Sequence, residues 1–302
     1  MKGGEGNMDK LLALSDELAA AVERAGRAVV AVHGRPRVPS TGVHWHSGLI
    51  VTANHTVQAE DDVTVTRPDG ASTPATVVGR DSTLDVAVLR VDAAGLPVAD
   101  AGDSDAVRVG HMVLAVGAGP RASWGVVSAI DTGPGRIPGT DFFTLDLTLY
   151  PGFSGGPLVD ARGTVVGLNT SGASRYLQLA IPAKAVSRVV HDVVSHGRIP
   201  QGYLGVSTQP VRIPDALREQ LGRTRRAAVI VVDVEAGSPA AAGLLIGDVI
   251  LSLDGEPVTD PFDLRALLRS RPIGQRVRAS LMRAGQLVDA ELAIGERPPR
   301  GR

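Results

Sequence analysis

The sequence predicts a mainly β protein with two domains, the first an antiparallel barrel or sandwich and the second a smaller unit. Between residues 41 and 181, short runs of alternating apolar residues recur, as in Asp85–Leu89 and Thr144–Leu147. Hairpin-type turns such as Pro68–Gly70 lie between these runs, and regularly spaced strands with such turns are typical of barrels and sandwiches. A length of 302 residues is enough for two domains of about 150 residues each.

Helical patterns mark the limits of the first domain. From about residue 9, apolar residues spaced three and four apart predict an amphipathic helix that leads into the strand-like run Ala28–Val32. We expect residues 1–40 to hold this helix and lead-in strand, and residues 41–197 to form the first domain. A second helix is predicted over 182–196, because Pro182 suits a helix start and Gly197 follows the helix end. The second domain then covers residues 201–298 and contains a helix capped by Asp260.

Composition excludes several classes of function. With 31 basic and 32 acidic residues the net charge is −1, so no overall field attracts nucleic acid or an anionic membrane. The chain has no cysteine, which rules out disulfides, a thiol nucleophile and thiolate metal sites.

The N-terminal residues bear on the compartment. A secretory leader needs an uninterrupted apolar stretch, but Asp16, Glu17 and Glu23 follow the run Leu11–Leu14. The sequence also lacks any run of about 20 apolar residues that could span a bilayer. We therefore expect a cytoplasmic chain without a membrane span.

One of the seven histidines differs from the others in its context. His55 comes just after the strand-like run Leu49–Thr52, where a side chain can face a cleft. His44 and His46 are close enough to suggest a metal pair, but no nearby acidic residue or cysteine completes a site. We predict neither a metal nor another cofactor.

The segment Gly152–Pro157 is the strongest local signal for chemistry. Glycines around Ser154 let the backbone turn sharply, and they allow neighbouring N–H groups to point at a developing oxyanion. The same residues match the G-x-S-x-G motif of α/β-hydrolases, which makes an esterase an alternative. That motif needs a helix directly after the serine, whereas Leu158 and Val159 read as a strand, so the esterase is disfavoured.

A carboxylate is expected between His55 and Ser154 if the order along the chain is histidine, acid, serine. Asp85 begins an apolar strand, and a carboxylate at the mouth of a buried strand can be dry enough to orient an imidazole. Asp81 is the competitor, although its surroundings read as a turn. Asp146 alternates within a strand, where a structural hydrogen bond is the simpler expectation.

Three separate segments together resemble the trypsin-like serine proteases of the HtrA (Deg) type. Thr52–His55, Leu84–Leu89 and Pro151–Val159 are similar to the histidine, aspartate and serine segments of that family, in the same order. Gly202–Val206 is similar to the start of the PDZ domain that follows the protease. The resemblance implies a chymotrypsin-like double β-barrel in residues 41–197 and a smaller α+β PDZ domain in residues 201–298.

The resemblance also implies a role for each candidate residue. Ser154 would be the nucleophile, His55 the general base and Asp85 the group that orients it, with the N–H groups of Gly152 and Ser154 as the oxyanion hole. A neutral Thr148, where enzymes specific for basic residues have an aspartate, predicts cleavage after small or medium aliphatic residues. The specificity pocket is expected to contain Thr148, Leu177 and Leu179. The peptide-binding residues of the PDZ domain are expected to be Tyr203, Leu204, Gly205, Val206, Phe262, Leu264 and Leu268.

The family's properties imply partners as well. The expected substrates are unfolded or damaged proteins, cleaved without ATP, and the PDZ domain is expected to bind peptide C-termini. The resemblance further implies a homotrimer built through N-terminal residues, and it allows a location in the cell envelope. The main rival function is a proteolytically resting chaperone or peptide-binding scaffold.

Two departures from the family pattern concern substrate preference. Phe153 stands where the family usually has asparagine, and Leu177–Ala180 replaces a pattern that normally carries glycine and phenylalanine at its second and third positions.

Overall fold

The computed structural model describes residues 5–58, 62–119, 121–131, 142–172, 174, 176–197, 199, 202–220 and 226–297. The chain divides into two compact units, the first ending at Ile199 and the second holding the described residues from Gly202 onward. Each unit has hydrophobic core clusters of its own.

The first six strands form a closed antiparallel β-barrel. They are β1 (Val29–His33), β2 (Ser40–His46), β3 (Leu49–Ala53), β4 (Val63–Thr66), β5 (Ser72–Asp81) and β6 (Val86–Val91). Their order around the barrel is β1, β2, β3, β6, β5, β4, with Ile50 and Leu89 fully buried inside. Strands β3 and β6 are neighbours in a register that pairs Ala53 with Val86. The residue stretches just after β3 and just before β6 therefore meet at one edge of the barrel.

The next six strands close into a second barrel. They are β7 (Met112–Gly117), β8 (Arg121–Asp131), β9 (Phe142–Asp146), β10 (Pro157–Val159), β11 (Val165–Thr170) and β12 (Gln178–Pro182). The order is β10, β11, β12, β9, β8, β7, and Pro157 at the start of β10 pairs with Leu168 near the end of β11. This pairing brings the residues before β10 close to the residues that follow β11. The prediction of a mainly β first domain is confirmed, and the barrel alternative is the correct one.

Two helices accompany the barrels, namely α1 (Glu5–Gly26) and α2 (Ala183–His196). The predicted helix over 182–196 is confirmed, and Gly197 ends it in a left-handed conformation with φ +70°. Helix α1 buries Ala21 and Ala25 near its C-terminal end, where it contacts β7 and β10. Leu12 and Leu14 are exposed because the earlier turns extend beyond these contacts. Only the last turns of α1 thus pack against the second barrel. None of the described helices is both long enough and apolar enough to span a membrane.

The second unit is a small α+β domain. Its elements are β13 (Gly202–Tyr203), β14 (Val206–Arg212), α3 (Asp215–Gln220), β15 (Ala227–Val234), β16 (Val249–Leu253), β17 (Glu256–Pro257), α4 (Pro261–Arg269), β18 (Arg276–Arg283), β19 (Gln286–Ala293) and β20 (Gly295–Glu296). The main sheet has the order β14, β15, β16, β18, β19, so β14 is an edge strand. Asp260 caps α4 as predicted, since its side chain accepts hydrogen bonds from the N–H groups of Phe262 and Asp263.

A buried ion pair ties the second unit together. The Asp248 side chain is 1% exposed and accepts two hydrogen bonds from the Arg283 guanidinium, each at 2.8 Å. Burial alone raises the pKa of Asp248, but hydrogen bonds from Arg283 and from the Leu245 N–H outweigh burial and hold that pKa below its usual range. The carboxylate is therefore ionised near neutral pH.

Candidate active site

His55 lies on a short turn that directly follows β3. Residues Asn54–Thr56 form one 3₁₀ turn, and the buried Thr56 hydroxyl donates to the Ala53 carbonyl at 2.7 Å. The His55 side chain keeps 30% of its surface exposed, so a substrate can reach the ring. The prediction that a strand end presents this histidine agrees with its place in the fold.

Asp85 holds His55 through both of its carboxylate oxygens. Oδ1 accepts the His55 backbone N–H at 2.8 Å, and Oδ2 lies 2.7 Å from His55 Nδ1. Because a carboxylate only accepts, Nδ1 is the donor, and Nε2 is left with a lone pair that can take a proton. Asp85 has φ +61°, an uncommon value for a residue other than glycine, and such strain clusters at functional sites.

The two competing aspartates lie elsewhere. Asp81 is 1% exposed and accepts the N–H groups of Thr83 and Leu84 at 3.1 and 3.0 Å, so it shapes the turn before Asp85. Asp146 is an exposed residue at the end of β9. The structure thus brings Asp85, rather than either competitor, to the imidazole.

Ser154 lies on the second barrel, just before β10, and is 6% exposed. The turn around it needs glycine: Gly155 has φ +84°, and a Cβ there would lie 2.2 Å from the Thr41 carbonyl oxygen. Among the described residues, the hydrogen-bond partners of Ser154 Oγ are Ser171 Oγ at 2.9 Å and the Ser171 N–H at 3.3 Å. The hydroxyl therefore points at Ser171 and not at His55 in this conformation.

Three residues at the end of β11, Thr170–Gly172, join the two halves of the site, and the sequence argument missed all of them. Thr170 Oγ1 donates to Asp85 Oδ2 at 2.5 Å and accepts the Gly172 N–H at 3.0 Å. Gly172 lies so close to the imidazole that a Cβ would be 2.5 Å from His55 Nδ1. Since Ser171 contacts Ser154 while Gly172 touches His55, the predicted nucleophile and base lie beside the same dipeptide. Small polar residues at the end of a buried strand were the available sequence signal.

The backbone N–H groups of residues 152–155 differ in whether they have a hydrogen-bond acceptor among the described residues. The N–H groups of Phe153 and Gly155 donate to the carbonyls of Tyr150 and Asn169. The N–H groups of Gly152 and Ser154 have no acceptor in the part of the chain that the structure describes. These are the two groups predicted for the oxyanion hole, and that role stays a prediction.

The residues predicted for the specificity pocket differ in accessibility. Thr148 and Leu177 are exposed, whereas Leu179 is 0% exposed within β12 and offers no surface in this conformation. Gln178 Oε1 accepts the Leu149 N–H at 3.3 Å and so joins β12 to the segment that carries Thr148. The pocket assignment of Thr148, Leu177 and Leu179 stays a prediction. No three His, Cys, Asp or Glu side chains gather as a metal site requires within the described ranges.

In the second unit, the predicted peptide-binding residues divide into core and surface. Leu204, Leu264 and Leu268 belong to the hydrophobic core, while Tyr203, Val206 and Phe262 are half-buried. Gly205 has φ +79°, and a Cβ there would clash with Ser238. The Tyr203 hydroxyl donates to the Glu235 carboxylate, and this bond raises the pKa of Tyr203. The outer edge of β14 begins directly after this turn.

A double barrel with an aspartate-bound histidine on one half and a glycine-flanked serine on the other defines a trypsin-like serine protease. Residues 40–168 match the model of the trypsin-like peptidase domain, and residues 202–294 match that of the PDZ domain. A solved structure described as the HtrA-type protease AlgW with decapeptide is 32% identical, with a TM-score of 0.67, and the match covers 93% of this chain and 99% of that one. The serine endoprotease of Yersinia pestis is 29% identical with a TM-score of 0.66, over 92% of this chain and 97% of that one. The chain belongs to the HtrA-type proteases.

Curated relatives bear on the compartment. A protein of Rhizobium meliloti (strain 1021) named a probable periplasmic serine endoprotease, DegP-like, is 36% identical over 276 residues, which are 87% of this chain and 54% of the relative. A protein of Pseudomonas putida (strain GB-1) with the same name is 34% identical over 261 residues, 83% of this chain and 54% of the relative. The chain thus spans about half the length of the curated relatives it matches. The cytoplasmic prediction is wrong: it rested on finding neither a leader pattern nor a membrane-spanning run in the sequence, and relatives named periplasmic point to the cell envelope.

Proposed function

We propose that this chain is an ATP-independent serine endopeptidase that cleaves unfolded or damaged proteins. The observation that carries the proposal is the pair of hydrogen bonds that His55 donates to Asp85, with Ser154 on the second barrel and Ser171–Gly172 beside both His55 and Ser154. An imidazole held in one tautomer by a buried carboxylate is the arrangement that activates a serine hydroxyl.

The chemistry follows from these positions. The Ser154 hydroxyl leaves Ser171 and turns to His55, which accepts its proton at Nε2 as Oγ attacks the scissile carbonyl. The N–H groups of Gly152 and Ser154 stabilise the resulting oxyanion, and one such donor is worth about 3 kcal/mol. His55 then returns the proton to the leaving amine, and water hydrolyses the acyl-enzyme by the reverse roles.

Casein degradation tests the proposal. The wild-type chain should release peptides from casein without ATP, and Ser154→Ala should lose about 10⁶-fold in turnover while keeping its melting temperature. The matched control is Ser128→Ala, because Ser128 is an exposed serine of β8 whose hydroxyl donates to the Thr144 carbonyl on the neighbouring strand β9. Casein cleavage that continues in Ser154→Ala at a comparable rate would contradict the assignment.

One observation favours a second function, a resting chaperone or scaffold. The Ser154 hydroxyl is bonded to Ser171 rather than to His55, as expected of a site that binds chains without cutting them. A light-scattering assay of the aggregation of an unfolded protein separates the two functions. If the chain is a scaffold, the wild type and Ser154→Ala should suppress aggregation equally well, and neither should yield cleavage products.

The second unit is proposed to bind peptide C-termini by adding a strand to its sheet. The proposal is supported by the position of β14 as an edge strand, by the turn at Gly205 before it, and by α4 packed beside it. Main-chain hydrogen bonds supply affinity in this mode, and an apolar pocket near Phe262 supplies selectivity. Calorimetric titration of the full chain should show that a peptide with a free apolar C-terminus binds more tightly than its amidated form. Equal affinities would contradict carboxylate recognition.

A homotrimer is proposed to form through helix α1. The support is its exposed apolar side chains in the first turns, which are those of Met8, Leu11, Leu12 and Leu14. Exposed apolar clusters of this kind mark protein contacts. Sedimentation equilibrium should give three times the monomer mass for the wild type and a smaller mass for Leu11→Glu, and an unchanged mass for that variant would contradict this interface.

A further inference from the structure

We infer that Arg121 is a positioning residue that sets the orientation of the oxyanion loop, residues 150–154. The inference rests on the proposed function, because it concerns the donors of that same site. Arg121 opens strand β8 and is exposed, so its side chain is not needed to fill the barrel core.

The guanidinium of Arg121 contacts the loop in two ways. Nη1 donates to the Pro151 carbonyl at 3.3 Å, while Nε is anchored on the Ala118 carbonyl at 3.0 Å. The guanidinium carbon also lies 5.5 Å from the centre of the Phe153 ring, within the range of a cation–π contact. One side chain thus connects the start of β8 to two residues of the loop.

The bond to Pro151 controls a catalytic donor through the geometry of the peptide unit. The Pro151 carbonyl and the Gly152 N–H belong to one planar trans peptide, so they point in opposite directions. Holding the carbonyl at Arg121 therefore fixes the direction of the Gly152 N–H, the first predicted oxyanion donor. If the peptide unit between Pro151 and Gly152 rotated, the Pro151 carbonyl oxygen would take the place of the Gly152 N–H group in the predicted oxyanion hole.

The next carbonyl of the loop has a separate anchor. The buried Thr41 hydroxyl donates to the Gly152 carbonyl at 2.7 Å and accepts the Ala118 N–H at 2.9 Å. Gly152 itself has φ +93°, and Arg121 Nη2 lies 3.2 Å from the place where a Cβ would be. Thr41 thus restrains the loop from inside the protein, and Arg121 is the restraint that lies at the surface.

Phe153 makes this arrangement possible. Phe153 is 1% exposed, and its ring forms a T-shaped pair with Tyr150 at 5.7 Å between centroids, while the Arg121 guanidinium lies over the Phe153 ring. An asparagine, the residue expected here from the family pattern, has no such ring. The contact between Arg121 and Phe153 is therefore a feature that this chain gains from its departure at position 153.

Kinetics on Arg121 variants test the inference. Arg121→Gln should lower kcat and the rate of fluorophosphonate labelling about 10-fold, as loss of a charged hydrogen bond would, with little change in KM. Arg121→Lys should be intermediate, because an ammonium keeps the charge but not the planar fork. A peptide boronate, which mimics the tetrahedral oxyanion, should lose affinity for Arg121→Gln in the same proportion as kcat. The control is Arg162→Gln in the β10–β11 turn, whose side chain is 89% exposed.

Several outcomes would overturn the inference. The first is unchanged labelling of Arg121→Gln, and the second is a rise in KM without a change in kcat. The third is a loss of kcat that is explained by a lowered melting temperature of the variant. The result is separable from the proposed function: if the wild type is not labelled, the protease proposal fails, whereas equal labelling of wild type and Arg121→Gln defeats only the role of Arg121.

Discussion

The hydroxyl of Thr170 is the interaction whose removal tests the site most finely. Thr170 is 0% exposed, and its Oγ1 donates to Asp85 Oδ2, the same oxygen that faces His55 Nδ1. Thr170→Val keeps the shape of the side chain but leaves this buried carboxylate one donor short. The Gly172 N–H loses its acceptor in the same change.

The expected loss follows from the type of bond. A hydrogen bond to a charged group contributes about 1.5–3 kcal/mol, and each 1.4 kcal/mol is about tenfold in rate, so the possible range is about 10- to 150-fold. Because the site is buried, water cannot replace the hydroxyl, and we expect kcat/KM for Thr170→Val to fall about 30-fold.

The assay is steady-state cleavage of a fluorogenic peptide, with Thr170→Ser as the matched control that keeps a hydroxyl. Thr170→Ser should stay within about threefold of the wild type, and both variants should be folded by circular dichroism. A Thr170→Val enzyme with wild-type kcat/KM would refute the view that Thr170 supports the pair formed by Asp85 and His55.

Three further predictions concern other parts of the molecule. Ser171→Ala should raise the rate of fluorophosphonate labelling a few-fold, because it removes the shorter of the two hydrogen bonds between Ser154 Oγ and Ser171 and keeps only the one from the Ser171 N–H; a lowered rate would show that the Ser171 hydroxyl assists instead. Asp248→Asn should destabilise the second unit by about 3 kcal/mol at pH 7, since it leaves Arg283 without its buried partner. The pKa of Asp248 is lowered by folding, so this stabilisation is present above the unfolded-state pKa and is lost as pH falls through the folded-state value; calorimetry should show a smaller difference between wild type and Asp248→Asn at pH 3 than at pH 7. Mass spectrometry of casein products should show cuts after aliphatic residues, and a majority after Arg or Lys would contradict a neutral pocket at Thr148.

Much of the fold could be predicted because the signals are local. The alternating runs of β6 and β9 and the turn at Pro68–Gly70 are local features, and so are Pro182 and Gly197 at the ends of α2. The choice between barrel and sandwich depends on which strands pair across the chain, and the local patterns do not show those pairings. The double barrel was implied instead by the resemblance of the histidine, aspartate and serine segments to a known family, and the structure confirms it.

The active site also contains some residues that local sequence signals predict and others whose role depends on strand pairing. His55, Asp85 and Ser154 could be proposed from strand ends and glycines, and the strand-like residues after Ser154 distinguished its segment from an esterase motif. The sequence did not allow Thr170, Ser171 and Gly172 to be proposed in the same way, because their importance comes from the pairing of β10 with β11. Leu179 was assigned to a pocket from its sequence position, yet its place within β12 buries it completely.

Site mapping of a covalent adduct tests the central claim most directly. After treatment of the full chain with a fluorophosphonate, peptide mapping by mass spectrometry should place a single adduct on Ser154, with no adduct in Ser154→Ala and a much slower reaction in His55→Ala. An adduct on Ser171, or one on Ser154 that forms equally fast without the imidazole of His55, would contradict the account.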